Sequence, residues 1–204
     1  MQKILLFGGT FNPIHNGHLI ISRSIAESLD IKKILLIPSG TPPYKKNVID
    51  PQIRLEMVKE AVGIDPFYEI CDCEFNRKGP SYSIDTIKWV KETYDKTMEQ
   101  VYWMIGEDNL EELPKWYGVD RLVSECRFVV ACRMSNEQEM KKRWEKSVIR
   151  NPGLEEMHVT FLQSPIINIS STMIRDRVKE GKTIKFIVPE AVEEYINYYN
   201  LYQE

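Results

Sequence analysis

Long hydrophobic runs are missing from this sequence. The apolar run near its start ends at Phe7. It is shorter than the core of a secretory signal peptide and far below the roughly 20 residues that a helix needs to cross a bilayer. We therefore expect a cytoplasmic protein with no membrane partner.

The sequence also has no long run of charge of one sign. Its 27 basic and 30 acidic side chains are interspersed and give a formal net charge of −3, so no nucleic-acid partner is expected. Internal repeats, low-complexity tracts and flexible linkers are missing as well. With 204 residues, of which 43% are hydrophobic, the chain can bury a core and is predicted to form a single domain over residues 1–204.

Cysteine and histidine are scarce. The four cysteines and three histidines do not follow the paired spacing of zinc sites, although Cys71 and Cys73 could share one face of a strand. Without a secretion signal, reduced thiols are expected rather than disulfides. We predict no metal site built from protein side chains alone.

The sequence does contain an alternation of short apolar segments with amphipathic ones. Apolar runs of about five residues are typical of buried parallel strands, and apolar residues three or four positions apart are typical of helices. The predicted strands cover residues 3–7, 33–37, 68–73, 101–105 and 127–132, and the predicted helices cover 18–29, 51–62, 83–94, 137–147, 173–178 and 189–202. This order predicts a Rossmann-like α/β fold, a parallel sheet with helices on both faces. In such sheets, ligands lie beyond the carboxyl ends of the strands.

The loop after the first predicted strand reads GGTFNPIHNGH, residues 8–18. Its paired glycines allow backbone N–H groups to approach a ligand, and the helix start that follows favours phosphate. The pattern is neither the G-x-G-x-x-G fingerprint nor a Walker P-loop. His15 and His18 lie three residues apart, and Gly17 between them leaves room for a nucleotide.

Two interpretations of this histidine pair are open. Protonated or donor imidazoles can stabilise charge on a phosphoryl group during transfer. Alternatively, both histidines cap or pack the helix. Their position directly between a strand and a helix favours the phosphate role.

The same loop resembles the signature of the nucleotidyltransferase superfamily, whose mark is a T/H-x-G-H motif. Class I aminoacyl-tRNA synthetases share the motif more distantly, but this chain is too short and has no K-M-S-K-S-like segment. The resemblance implies ATP binding by the loop and catalysis by its two histidines. The residues that it implicates are Gly8, Gly9, Thr10, Phe11, His15 and His18.

A second motif, ISSTMIR at residues 169–175, resembles the I-S-S-T-x-I-R motif of the same superfamily. Taken alone, the segment is better explained as a helix cap, because serine and threonine are natural N-caps. A helix start with hydroxyl donors and an arginine one turn later is also suited to anions. The resemblance implies that Ser171, Thr172 and Arg175 bind the β- and γ-phosphates of ATP, with Arg175 also catalytic.

A proline-rich loop, PSGTPPYKK at residues 38–46, follows the second predicted strand. A lysine in this loop can reach a triphosphate, and the alternative is a solvated loop lysine. In the superfamily the loop usually reads P-P-H-K. Lys45 therefore matches a catalytic lysine, whereas Tyr44 replaces the usual histidine.

Two further segments resemble nicotinate-nucleotide adenylyltransferases. Residues 74–86 closely resemble E-x-x-R-x-G-x-S-Y-T-x-D-T, with Ser83 in place of the first threonine, and Thr86 corresponds to a contact of the pyridine carboxylate. Helix capping explains part of this segment equally well. Residues 106–110 match a G-x-D segment that precedes a tryptophan. The resemblance implies that Trp116 stacks on the nicotinate ring and that the backbone N–H of Tyr117 holds its carboxylate.

Gly106 and Asp108 follow the fourth predicted strand and are assigned to ATP binding. Asp108 could bind ribose hydroxyls or help organise magnesium, because carboxylates at strand ends are common in α/β sites. Capping of the next turn is the alternative.

The resemblance covers nearly the whole chain and implies transfer of AMP from ATP to nicotinic acid mononucleotide, with Mg²⁺ bound mainly through the ATP phosphates. The products would be nicotinic acid adenine dinucleotide (NaAD) and pyrophosphate, and the reaction would belong to NAD biosynthesis. Phosphopantetheine adenylyltransferase activity and a non-catalytic nucleotide-binding role are the alternatives. A homo-oligomer is left open, because Trp144 and the tyrosine-rich C-terminal helix could form either a subunit contact or part of the core.

Overall fold

Six parallel strands form one sheet in the computed structural model of the chain, which describes residues 2–43, 45 and 48–203. The prediction for Tyr44 lies outside the described residues. The strands are β1 (Ile4–Gly9), β2 (Ile34–Pro38), β3 (Tyr68–Ile70), β4 (Val101–Gly106), β5 (Arg127–Cys132) and β6 (Val159–Gln163). Their order is β3-β2-β1-β4-β5-β6, and every neighbouring pair is parallel. The predicted Rossmann-like α/β fold is confirmed.

Helices cover both faces of this sheet because the side chains of each buried strand alternate between two cores. In β1, for example, Ile4 and Leu6 join one core and Leu5 joins the other. The helices are α1 (Asn16–Ser28), α2 (Pro51–Val62), α3 (Ser83–Thr93), α4 (Val119–Leu122), α5 (Glu137–Arg150), α6 (Ser171–Lys179) and α7 (Glu190–Tyr198). The first core receives apolar side chains from α3, α4 and α5, and the second receives them from α1, α2, α6 and α7.

Strand β6 is not predicted by the hydrophobic pattern. It lies at the edge of the sheet and pairs with β5, and none of its residues is fully buried. An edge strand therefore needs no continuous apolar run. The short helix α4 is likewise not predicted, and β3 ends at Ile70 rather than at residue 73.

The strand order reverses between β1 and β4. From β1 the chain moves outward to β2 and β3, then returns to β4 on the opposite side of β1 and moves outward to β5 and β6. The crevice beyond the carboxyl ends of β1 and β4 is consequently the place where a sheet of this kind binds ligands.

The structure also bears on the predictions about membrane spans, metal sites, cysteines and a subunit contact. Over residues 2–43, 45 and 48–203, no helix combines the length and the hydropathy that a membrane span requires. In that part of the chain, no three His, Cys, Asp or Glu side chains gather in a way that could hold a metal ion. All four cysteines are free and buried. Trp144 packs into the first core, which favours the core interpretation for this residue, while Tyr198 and Tyr199 of the C-terminal segment are exposed.

Candidate active site

A cavity of about 910 Å³ opens where the strand order reverses. This volume lies within the range of small-molecule sites, about 300–1,000 Å³. Nearly all of the predicted site residues line the cavity. They are Gly8, Gly9, Thr10, Phe11, His15, His18, Lys45, Gly106, Asp108, Trp116, Tyr117, Ser171, Thr172 and Arg175.

The two histidines stand together at the start of α1. Their rings are stacked, with centroids 3.6 Å apart and planes inclined by 21°. The backbone N–H of His18 donates to Nδ1 of His15 at 3.3 Å, and the backbone N–H of His15 donates to Nδ1 of His18 at 3.2 Å. This reciprocal pair is a capping box. The capping interpretation is therefore true of both residues, but it leaves the second nitrogen of each ring available.

The caps determine which nitrogen carries the proton. A ring nitrogen that accepts a hydrogen bond has no proton, so each neutral imidazole carries its proton on Nε2, which can act as a donor. Burial, reinforced by the charge of Arg133, lowers the pKa of His15 to about 4. Burial and the charges of His15, Lys45 and Arg133 lower the pKa of His18 well below its usual value. At neutral pH the ligand-free protein thus presents neutral Nε2–H donors rather than imidazolium ions.

Neighbouring residues hold the two rings in place. Gly17 is buried, and a Cβ at this position would lie 3.1 Å from Nδ1 of His15. The glycine therefore makes room for the imidazole, whereas the predicted room for a nucleotide stays a prediction. The ring of Phe11 meets His18 edge-on, with centroids 5.1 Å apart.

The lowered pKa of His15 makes stability depend on pH. Above pH 6.5 the ring is neutral in both the folded and the unfolded chain; below it, the unfolded chain binds a proton that the folded chain refuses until about pH 4. His15 should therefore lower the free energy of unfolding by about 3 kcal/mol between pH 7 and pH 4. Urea unfolding of wild type and of His15→Asn over this range measures the effect, since asparagine can cap the helix without titrating.

The variant should lose about 3 kcal/mol less than wild type on acidification, because the acidic side chains titrate alike in both proteins. His158→Asn, which removes an exposed histidine away from the cavity, should follow wild type. Equal losses in wild type and His15→Asn would contradict the assignment.

Helix α6 begins beside the loop that follows β1. Its N-cap is Ser170. The hydroxyl of Ser171 donates to the carbonyl of Pro13 at 2.8 Å, and Nη1 of Arg175 donates to the carbonyl of Asn12 at the same distance. Two motifs that are about 160 residues apart in sequence are thereby bonded to each other. Residues of both helix starts line one cavity, and a helix start is a position that favours an anion.

Arg54 ties together the loops at the carboxyl edge of the sheet. It is 1% exposed, and its guanidinium donates to the carbonyls of Thr10 at 2.8 Å, Gly40 at 3.1 Å and Ile49 at 3.2 Å. Gly40 in turn contacts the loop after β3 so closely that a Cβ at this position would lie 2.6 Å from the carbonyl oxygen of Glu74. The loops after β1, β2 and β3 are thus held as one unit by contacts beneath the cavity.

The ends of β4 and β5 meet on the cavity wall. Asp108 is largely exposed and accepts a hydrogen bond from Arg133 at 3.0 Å. Its neighbour Glu107 accepts hydrogen bonds from the backbone of the turn that carries Arg133. Asp108 therefore binds the side chain of Arg133, and Glu107 binds the backbone of residues 133–135, directly after β5.

Aromatic side chains form another part of the cavity wall. Trp116 packs edge-on against Phe128, with ring centroids 6.4 Å apart. Tyr117 is 53% exposed and stacks on Tyr82 at 4.2 Å. Trp116 and Tyr117 are thus brought to the cavity as predicted, and Tyr82 joins them.

Thr86 is the predicted site residue that does not line the cavity. It is fully buried, and its hydroxyl donates to Oε1 of Glu74 and accepts from Nη2 of Arg77, both at 2.7 Å. Within the described part of the chain, Oε2 of Glu74 and Nη1 of Arg77 have no hydrogen-bond partner. The Thr86 hydroxyl is already engaged in this network, so its contact with a pyridine carboxylate stays a prediction.

A model of one protein family matches residues 6–177, and the family is described as cytidylyltransferase-like. The chain belongs to the cytidylyltransferase-like family. Within that family it is 38% identical to a protein of Caldicellulosiruptor bescii over 99% of this chain and 100% of the relative. It is 37% identical to a protein of Dehalococcoides mccartyi over 98% of this chain and 97% of the relative. Both relatives are named "Probable nicotinate-nucleotide adenylyltransferase", and the resemblance drawn from the motifs is confirmed.

Solved structures of the same fold extend this comparison. The nicotinic acid mononucleotide adenylyltransferase of Plasmodium falciparum, complexed with NaAD, superposes with a TM-score of 0.78 at 20% identity and covers 99% of this chain and 98% of its own. The same enzyme complexed with APC gives a TM-score of 0.74 at 19% identity, with the same coverage. At these identities the superpositions support the Rossmann-like α/β fold.

Three residues at or beneath the cavity of this family member are not predicted from the sequence. Arg54 looks like any helical arginine in the sequence, and its buried position depends on loops that are distant in sequence. Tyr82 lies within a matched motif but has no predicted role. Arg133 directly follows a predicted strand, and the rule that draws attention to Asp108, a polar residue at a strand end, would also have found it.

Proposed function

We propose that this member of the cytidylyltransferase-like family transfers AMP from ATP to nicotinic acid mononucleotide, forming NaAD and pyrophosphate in NAD biosynthesis. The observation that carries the proposal is one cavity that unites two helix starts suited to phosphate with an aromatic pair suited to a pyridinium ring. Relatives of 36–38% identity over the full length bear the name of this activity, and the Plasmodium falciparum neighbour is complexed with NaAD.

The nucleophile in this reaction is the phosphate of the mononucleotide. A phosphomonoester has a second pKa near 6, so much of it is dianionic at neutral pH and needs no general base. One of its oxygens attacks the α-phosphorus of ATP in line, the bond from that phosphorus to the bridging oxygen breaks, and pyrophosphate leaves. Catalysis then depends on positioning and on stabilising the charge of the transferring group.

The stacked histidines supply donors for the transferring group. His15 and His18 present neutral Nε2–H groups at the cavity wall, and each Nδ1 is held by a backbone N–H. Donors locked in this way need no reorganisation when charge develops on the α-phosphate.

The leaving pyrophosphate is assigned to α6 and to the loop after β2. The start of α6 offers backbone N–H groups together with Ser171, Thr172 and Arg175. Lys45 also lines the cavity, and partial desolvation there, followed by repulsion from Arg175 and Arg54, lowers its pKa. An anion that neutralises this group of cations is therefore favoured.

Magnesium is the proposed cofactor, held mainly by the ATP phosphates. Mg²⁺ usually takes one or two protein carboxylates in addition to substrate phosphates. Asp108 fits this requirement, because its carboxylate lies at the cavity wall with a largely exposed side chain. When bound, the ion neutralises charge on the phosphates as pyrophosphate leaves.

The acceptor is assigned by the aromatic wall. Trp116 and Tyr117 line the cavity and can stack on a cationic pyridinium ring. Among the described residues, the N–H of Tyr117 donates to no backbone carbonyl, whereas the N–H of Thr86 donates to the carbonyl of Tyr82. A free backbone donor suits the carboxylate of nicotinate better than the neutral amide of nicotinamide.

The test is pyrophosphate release with ATP, Mg²⁺ and one of three acceptors: nicotinic acid mononucleotide, nicotinamide mononucleotide or phosphopantetheine. We expect kcat/KM for the nicotinate to exceed that for the nicotinamide by at least about tenfold, because a charge-assisted hydrogen bond replaces a neutral one. Phosphopantetheine should give no turnover.

Turnover with phosphopantetheine alone would keep adenylyl transfer and overturn the assigned acceptor. Binding of ATP without turnover on any acceptor would indicate a non-catalytic nucleotide-binding protein.

Trp116→Leu should raise KM for the acceptor more than KM for ATP. Trp89→Leu, which changes a half-exposed tryptophan that does not line the cavity, is the matched control.

A further inference from the structure

Arg133 is a cation of the cavity wall that lies outside every motif of the sequence. It directly follows β5, and its side chain is 31% exposed and lines the cavity. Nη2 donates to Oδ1 of Asp108 at 3.0 Å. A guanidinium carries five N–H donors, so most of its donors are not used by this bond.

Glu107 holds the backbone of the same turn. Its carboxylate accepts hydrogen bonds from three consecutive N–H groups, those of residues 133, 134 and 135, at 3.1 to 3.3 Å. Successive N–H groups that converge in this way form a concave anion site, here filled by a side chain of the protein itself. Glu107 and Asp108 are adjacent, and together they restrain both the backbone and the guanidinium of Arg133.

Arg133 lines the same cavity as His15 and His18, so its restrained charge faces the space that the histidine pair also faces. The positive charge of Arg133 contributes to the lowered pKa of both His15 and His18, whereas that of Lys45 contributes to the lowered pKa of His18. A cation beside two neutral donor rings creates a region of positive potential. The exposed bond to Asp108 compensates it only weakly, since exposed ion pairs contribute little.

We propose that Arg133 is a further catalytic residue, whose guanidinium binds the reacting phosphates at the histidine pair through the N–H groups that Asp108 does not use. The inference rests on the proposed adenylyl transfer and deepens it. A planar guanidinium matches phosphate oxygens with two parallel hydrogen bonds, and lysine cannot reproduce that geometry. Glu107 is then a positioning residue that acts through Arg133.

The first experiment compares Arg133→Met and Arg133→Lys with Arg143→Met, which removes an exposed arginine from α5. We expect Arg133→Met to lower kcat/KM by about 10- to 100-fold, Arg133→Lys to recover only part of this loss, and the control to match wild type. Binding of Mg·ATP, measured by calorimetry without acceptor, should weaken in Arg133→Met. Turnover and binding within about twofold of wild type would overturn the proposal.

The second experiment separates positioning from general stability. Glu107→Gln should lower kcat/KM in the wild-type background but change it by less than about twofold in the Arg133→Met background, because the residue through which it acts is gone. An equal loss in both backgrounds would show that Glu107 does not act through Arg133.

A third measurement is independent of activity and of the acceptor. The chain has three histidines, so NMR titration of labelled histidine resolves the pair, with exposed His158 as the internal reference. Arg133→Met should raise the pKa of His15 and His18, and unchanged values for both would overturn the assigned proximity. If wild type fails to use nicotinic acid mononucleotide, the proposed function fails, yet this titration and the Mg·ATP measurement still test Arg133.

Discussion

Replacing His18 with alanine should reduce kcat by about 100- to 1,000-fold while the chain stays folded. A preorganised donor to a developing oxyanion is worth about this factor when it is removed from other enzymes. The loss should fall on kcat more than on KM, because the donor acts mainly on charge that develops in the transition state. The fold should tolerate the change, since among the described residues the ring accepts one backbone hydrogen bond, from the N–H of His15, worth about 1 kcal/mol.

Steady-state kinetics and urea unfolding of the same preparation check this result. His158→Ala, a histidine substitution away from the cavity, should leave kcat unchanged. His18→Gln should retain more activity than His18→Ala, because the amide places a neutral N–H donor at a reach similar to that of Nε2. Near-normal kcat in His18→Ala would refute the assigned role.

Replacing Arg54 with methionine should lower the free energy of unfolding by about 3–5 kcal/mol. The substitution removes the buried guanidinium together with the three hydrogen bonds that it donates. The carbonyls of Thr10, Gly40 and Ile49 are then left without this donor. Burial lowers the pKa of the guanidinium, but arginine stays charged in proteins. Relief of the desolvation cost offsets part of the loss and limits it to this range.

The kinetic consequence of Arg54→Met should be a higher KM for ATP, because the loops after β1 and β2 are no longer bonded to one guanidinium. Arg54→Lys should recover only part of the stability, since one ammonium group cannot match three carbonyls in the plane of a guanidinium. Arg143→Met on the surface of α5 is the matched control. A loss below about 1 kcal/mol in Arg54→Met would contradict the bridging role.

The histidine pair shows how far local sequence patterns extend. The spacing of His15 and His18 at a helix start predicts both a cap and a phosphate site, and the structure shows the caps in atomic detail. The geometry adds the tautomer, which spacing does not define, because it depends on which ring nitrogen meets a backbone N–H. The predicted alternatives are thus compatible rather than exclusive.

Thr86 shows the opposite case. A motif match assigns it to the acceptor, but motif position says nothing about which way a side chain points. In the structure its hydroxyl lies between Glu74 and Arg77 in the interior. The contact of Thr86 with the nicotinate carboxylate stays a prediction, and so does that of the Tyr117 N–H, which donates to no backbone carbonyl within the described part of the chain.

By itself, the sequence determined the fold class, most strands and helices, and the two helix starts at the cavity, because hydrophobic periodicity and capping residues are local properties of the chain. Only the tertiary structure decided which distant groups meet. Arg54 reaches a carbonyl 44 positions away, and Arg175 reaches one 163 positions away. Such contacts depend on strand order and on loop packing, which single-residue patterns do not encode, and they determine how the charges of the cavity are arranged.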